Sequence, residues 1–260
     1  MRNSRRGAVD PFIVMDVMEA ARAAEEAGRH VIHMEVGQPG TPAPTAARDA
    51  LARAMADDAL GYTVALGLPA LRARIARLYG DWYGVDLDPA RVVVTPGSSG
   101  GFILAFTALF DAGQRVALGR PGYPSYRQIL RALDLTPVEV AARAENRLQL
   151  TPDDLRGVQY DGLMVASPAN PTGTMLRRDA LAALIDDAQG RGAAFLSDEI
   201  YHGLEYEARA VSALEISDDV CVINSFSKYF SMTGWRVGWL VLPPSQVRAV
   251  ERLAQNLFIC

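Results

Sequence analysis

From Arg91 onward the sequence alternates short β-rich runs with helical stretches, and this rhythm constrains the fold more than any other feature. The runs are 91–95, 115–118, 137–140, 162–166, 193–197 and 220–223, with 236–242 as a seventh. Helical candidates at 102–111, 125–134 and 177–189 lie between them. Strands that alternate with helices are joined by crossovers. The expectation is an α/β fold with a mostly parallel seven-stranded sheet and helices on both faces. Ligands of such sheets sit beyond the carboxyl ends of the strands. What stands at those ends therefore carries the functional argument.

The first ninety residues read differently. Residues 11–28 predict a helix with Phe12, Met15, Val17, Met18 and Ala21 on a broad apolar face, and 30–35 predict a short strand. The turn-rich stretch Gly37-Gln38-Pro39-Gly40-Thr41-Pro42-Ala43-Pro44 follows. Residues 45–56 and 67–83 predict two more helices, the second with Leu68, Leu71, Ile75, Leu78 and Trp82 at helical spacing. A chain of 260 residues with 50% hydrophobic content buries a real core. Its net charge of −4 offers no basic stripe for nucleic acid, and the Arg-rich start, 1–6, is too short for a nucleic-acid arm. No apolar run has the length of a membrane span. Cys221 and Cys260 are the only cysteines, which excludes a disulfide framework and fits a reducing cytoplasm. His30, His33 and His202 form no metal-ligand spacing with them.

Five strand ends carry chemistry. After 91–95 comes Pro96-Gly97-Ser98-Ser99-Gly100-Gly101, a Gly/Ser turn whose backbone N–H groups suit a phosphate. It is neither a P-loop nor a dinucleotide fingerprint. After 115–118 comes Tyr123, able to stack on a planar ring or to cover the core edge. After 162–166 comes Ser167-Pro168-Ala169-Asn170-Pro171-Thr172-Gly173, in which flanking prolines stiffen the chain around Asn170. After 193–197 comes Asp198-Glu199-Ile200-Tyr201. A carboxylate at the end of a buried strand calls for a cationic partner, and a protonated ring nitrogen would serve.

The fifth end holds Lys228. Of the 26 Lys and Arg residues it is the only lysine. Arginine stays protonated, whereas a lysine can lose its proton and attack a carbonyl. Ser225 and Ser227 precede it, and Arg236 follows with a fork suited to phosphate. A phosphate cradle, a ring stacker, an amide, a carboxylate with a phenol, and an amine with a guanidinium together suit pyridoxal 5′-phosphate.

On these motifs the chain resembles the class I/II (fold type I) pyridoxal-phosphate aminotransferases, from about Asp10 to its last residue. The resemblance implies that Lys228 forms a Schiff base with the cofactor and then shuttles the Cα proton. It implies that Asp198 pairs with the ring nitrogen and that Tyr201 and Asn170 bond the phenolic oxygen. Tyr123 would stack on the ring, while Ser98, Ser99, Ser225 and Arg236 would hold the phosphate, with Ser227 behind them. Gly61-Tyr62 with Gly67 and Leu71-Arg72 matches the segment whose Tyr reaches the neighbouring subunit's phosphate, which implies a homodimer. Gly37 matches a position lining the substrate pocket, beside Asn170. The implied reaction (EC 2.6.1.-) passes an amino group from an amino acid to a 2-oxo acid.

The implied organisation is an N-terminal arm with part of a small domain over 1–45, a large cofactor-binding domain over 46–245, and the start of an interdomain helix over 246–260. Residues 245–260 predict that helix, with Val247, Val250, Leu253, Ala254, Leu257 and Phe258 on apolar positions. Members of the family continue beyond it into a small domain that carries the arginine clamping the substrate carboxylate. No residue here matches that arginine, so the small domain is expected to be incomplete. Two other readings stand beside transamination. One keeps the fold with β-lyase, decarboxylase or acyl-transfer chemistry. The other is a non-catalytic regulatory module or remnant; the fold-like sequence beginning near Met1, without a DNA-binding segment before it, argues against a regulator.

Overall fold

The computed structural model describes residues 2–259, so Cys260 and the Met1 end of the Arg-rich start lie outside them. Three helices come first: α1 (Ile13–Glu26), α2 (Thr45–Asp57) and α3 (Pro69–Tyr83). The α/β part follows as β1 (Val92–Thr95), α4 (Gly97–Leu109), β2 (Arg115–Arg120), α5 (Ser125–Ala132), β3 (Thr136–Ala141) and β4 (Gly162–Ala166). It closes with α6 (Arg178–Gly190), β5 (Ala194–Asp198), β6 (Cys221–Ser225), β7 (Gly238–Val241) and α7 (Pro244–Leu257). The seven-stranded sheet runs β1-β7-β6-β5-β4-β2-β3. β7 lies antiparallel between β1 and β6, and the remaining pairings are parallel.

Period-two alternation sends successive side chains to opposite faces. Val92 and Val94 of β1, Leu163 and Val165 of β4, and Trp239 and Val241 of β7 join one core cluster with Ile75 and Tyr79 of α3 and Leu184 and Ile185 of α6. Val93, Met164 and Leu240, their neighbours in sequence, join the other cluster with Phe102 and Phe106 of α4, Leu130 of α5 and Val250 of α7. Both faces are covered, which is why strands such as Val-Val-Val-Thr read as continuous apolar runs.

Four details differ from the sequence reading. No strand forms over 30–35: Ile32 is 75% and Met34 88% exposed, and a strand needs a neighbour to take its N–H and C=O groups. His33 instead pairs with Glu25 and Glu35. The helix expected at 102 begins at Gly97, so the Gly/Ser turn is itself the first turn of α4. The helix expected to run to residue 260 ends at Leu257, where Phe258 is extended and lies against Gly100. α1 and α2 form as expected, yet neither contributes a buried residue. Among the described residues no helix is long and apolar enough to cross a membrane.

Candidate active site

Register aligns the strand ends. Thr95 of β1 faces Gly238 of β7, and Gly238 faces Ser225 of β6, so three termini stand in one row. The start of α4 sits directly on that row. A Cβ on Gly238 would lie 2.6 Å from the Gly97 carbonyl carbon and 2.8 Å from the Ser98 nitrogen. Glycine at 238 is what lets the helix terminus touch the sheet.

The terminus is uncapped. Pro96 stands at its N-cap and no side chain accepts its first N–H groups. Ser98 is half-buried and Ser99 exposed there. Gly97 has φ +70°, and a Cβ on it would lie 2.3 Å from an Arg236 guanidinium nitrogen. Arg236 is also in the left-handed region and donates to the Thr233 carbonyl at 2.9 Å. The Ser225 hydroxyl lies 2.7 Å from that of Ser227 and donates to the Val237 carbonyl at 3.0 Å. Free N–H groups and a guanidinium thus stand beside two hydroxyls, a donor set for a dianionic phosphate once the hydroxyl protons turn from Val237 and from each other.

Gly97→Ala is expected to cost about 1–2 kcal/mol through left-handed backbone alone. It should also push the guanidinium from its seat and weaken capture of a phosphorylated ligand. Thermal unfolding and ligand titration read the two effects separately.

The adjoining strand end holds the carboxylate. Asp198 is 3% exposed and pairs in register with Ala166 of β4 and Ile223 of β6. Burial pushes its pKa up to about 6, against the hydrogen bonds it accepts from the Tyr126 hydroxyl and the Ile200 N–H. A buried carboxylate held only by neutral donors gains most from a cation beside it. Tyr126 was not assigned from sequence. The available signal was its place three residues after Tyr123, inside the first turn of α5, where the two rings meet edge to face at 5.2 Å.

The amide, the phenol and the amine close the site. Asn170 donates to the Tyr201 hydroxyl at 3.2 Å. The Tyr201 phenol is raised in pKa, first by burial and then by Asp198. The Lys228 ammonium lies 5.8 Å from the Tyr201 ring centre and donates to the Gly37 carbonyl at 2.8 Å. Burial, then the charge of Arg236, lowers the lysine's pKa, while Asp198 opposes them. The lysine loop is braced from below: Trp82 of α3 stacks on Phe230 and meets Tyr229 edge-on. Tyr62 is not brought here. It is 95% exposed and lines a separate shallow pocket with Leu60, Gly61 and Ile259.

Comparison with known proteins gives the family. The family aminotransferase class I and II matches residues 29–260. A valine–pyruvate aminotransferase of Mycobacterium tuberculosis is 45% identical over all of this chain, which spans 68% of that protein. A (5-formylfuran-3-yl)methyl phosphate transaminase of Methanocaldococcus jannaschii is 33% identical over 96% of this chain and 66% of its own length. A crystal structure from Silicibacter pomeroyi, 70% identical, superposes with a TM-score of 0.93, covering 100% of this chain and 68% of that one. The chain thus spans about two thirds of the length of its relatives.

Proposed function

The chain belongs to the class I and II aminotransferases, a pyridoxal-phosphate-dependent family, and on that premise we propose that it moves an amino group between an amino acid and a 2-oxo acid with Lys228 as its reactive amine. One observation carries the reading. The only lysine of the chain, its pKa lowered, stands in the loop after β6, beside the strand whose end bears the buried Asp198.

The residues present fit the cofactor. The absent Cβ of Gly97 leaves room for the Arg236 fork beside free helix N–H groups, and the phosphate belongs there with Ser98, Ser99, Ser225 and Ser227. Asp198 is a buried carboxylate in need of a cation, which a protonated pyridine nitrogen provides. Tyr201 and Asn170, already joined by a hydrogen bond, would hold the cofactor's phenolic oxygen, and Tyr123, edge to face with Tyr126, would stack on its ring. When bound, pyridoxal 5′-phosphate supplies an electron-withdrawing ring that takes up the electrons left when a substrate Cα proton departs.

The chain's residues supply the rest. Lowered pKa leaves Lys228 more of its neutral form, able to hold the cofactor's carbonyl carbon and, once released, to move a proton at the substrate Cα through Nζ. Asp198 would stay ionised beside a cationic ring nitrogen and would favour that nitrogen's protonated form. Tyr126 holds the carboxylate's orientation. Gly37, whose carbonyl accepts from the Lys228 amine, and Asn170 would border the bound substrate.

Homodimer formation belongs to the same proposal, with Tyr62 reaching the phosphate of a second copy; its exposure supports that use. We place the reaction in the cytoplasm, which the buried free Cys221 supports. The relative named for valine and pyruvate makes that pair the first to assay. Oxo-acid-dependent amine transfer, followed as amino-acid product with valine–pyruvate and aspartate–2-oxoglutarate, is the expected result. Release of ammonia or loss of carbon dioxide without an oxo acid would overturn it.

A further inference from the structure

A buried network behind the site ties together the two loops that carry Asn170 and Tyr201, and its centre is His202. The imidazole is 2% exposed. Its Nε2 lies 2.8 Å from the Ser167 carbonyl oxygen, and its Nδ1 lies 2.7 Å from the Tyr83 hydroxyl. A carbonyl oxygen only accepts, so Nε2 carries the proton. In the neutral ring Nδ1 then accepts from Tyr83, whose phenol is held protonated by burial and by Glu199. Glu199 lies 3.7 Å from Nδ1, with its own oxygens bonded to Ser197, Ser212 and the Ala213 N–H.

The Ser167 carbonyl is the base of the Asn170 turn. The Ser167 N–H donates to the Asp198 carbonyl at 3.2 Å. The turn above it is closed by Ala169 N–H to Thr174 O at 2.9 Å and Gly173 N–H to Ala169 O at 2.8 Å. Asn170 then reaches Tyr201, the residue before His202. The chain from His202 through Ser167, the turn, Asn170 and Tyr201 therefore closes on itself as a ring. The imidazole closes that ring from the Tyr201 side, while Gln149 braces the outer face of the turn through the Thr174 carbonyl at 2.9 Å.

We propose that His202 is a positioning residue for the Asn170–Tyr201 pair: its Nε2–H, the tautomer the Ser167 carbonyl demands, tethers that carbonyl and so sets where the Asn170 amide meets the Tyr201 phenol. The proposal rests on the reading of that pair as the group facing the cofactor's phenolic oxygen. His202 touches no substrate or cofactor in this scheme. It acts through Asn170.

The test uses purified protein titrated with pyridoxal 5′-phosphate, reading affinity and the long-wavelength absorbance of the bound cofactor. His202→Leu is expected to weaken affinity about tenfold, the upper worth of one neutral hydrogen bond, and to shift the band. His202→Gln places an amide N–H near the Nε2 position and should restore affinity to within about threefold and return the band. On an Asn170→Ala background, His202→Leu should add nothing, because its effect passes through that side chain. Unchanged affinity and spectrum in His202→Leu, or losses that simply add in the double variant, overturn the proposal. Should His202→Leu fail to fold, His202→Phe keeps a buried ring without the Nε2–H donor, and a wild-type affinity and band there overturn it equally. Lys228→Ala is the control for the underlying reading: if it keeps the band, that reading falls and takes this proposal with it.

Discussion

Lys228→Ala is expected to abolish the long-wavelength band of the bound cofactor and to cut turnover by about 10⁴-fold. That is the top of the range for a positioned acid–base group, and Lys228 also holds the cofactor. No other side chain in the sequence can stand in, because every other cationic chain residue of the Lys/Arg class is an arginine. Borohydride reduction followed by peptide mass spectrometry reads the same result without turnover. In the wild type the cofactor should become fixed to the peptide containing Lys228, and in the variant no internal peptide should carry it. A cofactor fixed elsewhere in the wild type would end the assignment.

Asp198→Asn should separate stability from function. The Asp198 pKa stands at about 6 in the folded chain against an ordinary 3.8. Between those values the folded protein holds a proton that the unfolded chain has lost, so stability falls as pH rises from about 4 to about 6. Above that window the ionised carboxylate is a net cost on the order of 2–3 kcal/mol in the cofactor-free protein. Asparagine removes the charge. The cofactor-free variant should therefore unfold at a higher temperature than the wild type near pH 7.5 and lose that advantage near pH 4. With cofactor the order reverses. Taking away one member of a buried charge pair costs about 3–5 kcal/mol, which corresponds to a turnover loss of roughly 150- to 5,000-fold. Thermal unfolding at both pH values, with and without cofactor, checks the crossing. Equal stability of the two cofactor-free proteins at every pH would show that Asp198 is not desolvated.

The strands were legible because burial on both faces writes them as short apolar runs, and their ends were legible because chemistry collects where strands stop. Asn170, Asp198, Tyr201 and Lys228 were singled out this way, and the structure sets Asn170 and Lys228 beside Tyr201. Residues 30–35 misled because alternation marks a strand only when a partner strand lies alongside, and no partner is written locally. His202 was seen only as a histidine without metal spacing, since its partners Ser167 and Tyr83 lie 35 and 119 residues away. Contacts such as Lys228 with Gly37, 191 residues apart, carry no local signal at all. The early start of α4 was missed for another reason. Glycine discourages helix in propensity, yet here Gly97 and Gly100 leave space for Arg236 and for Pro96 and Phe258.

The place of β7 in the sheet has a consequence for synthesis on the ribosome. Among the described residues β1 pairs with no strand except β7, which is the last strand made of those in the sheet. At ordinary translation rates of about 5–20 residues per second, the nascent chain carries β1 as an unpaired apolar ribbon for on the order of ten seconds. During that time β2 to β6 can already assemble beside it. An unpaired Val-Val-Val segment is the kind that chaperones bind and that aggregates when they do not. Ribosome-bound chains halted before residue 238 should therefore recruit trigger-type chaperones, and those halted well past residue 241 should release them.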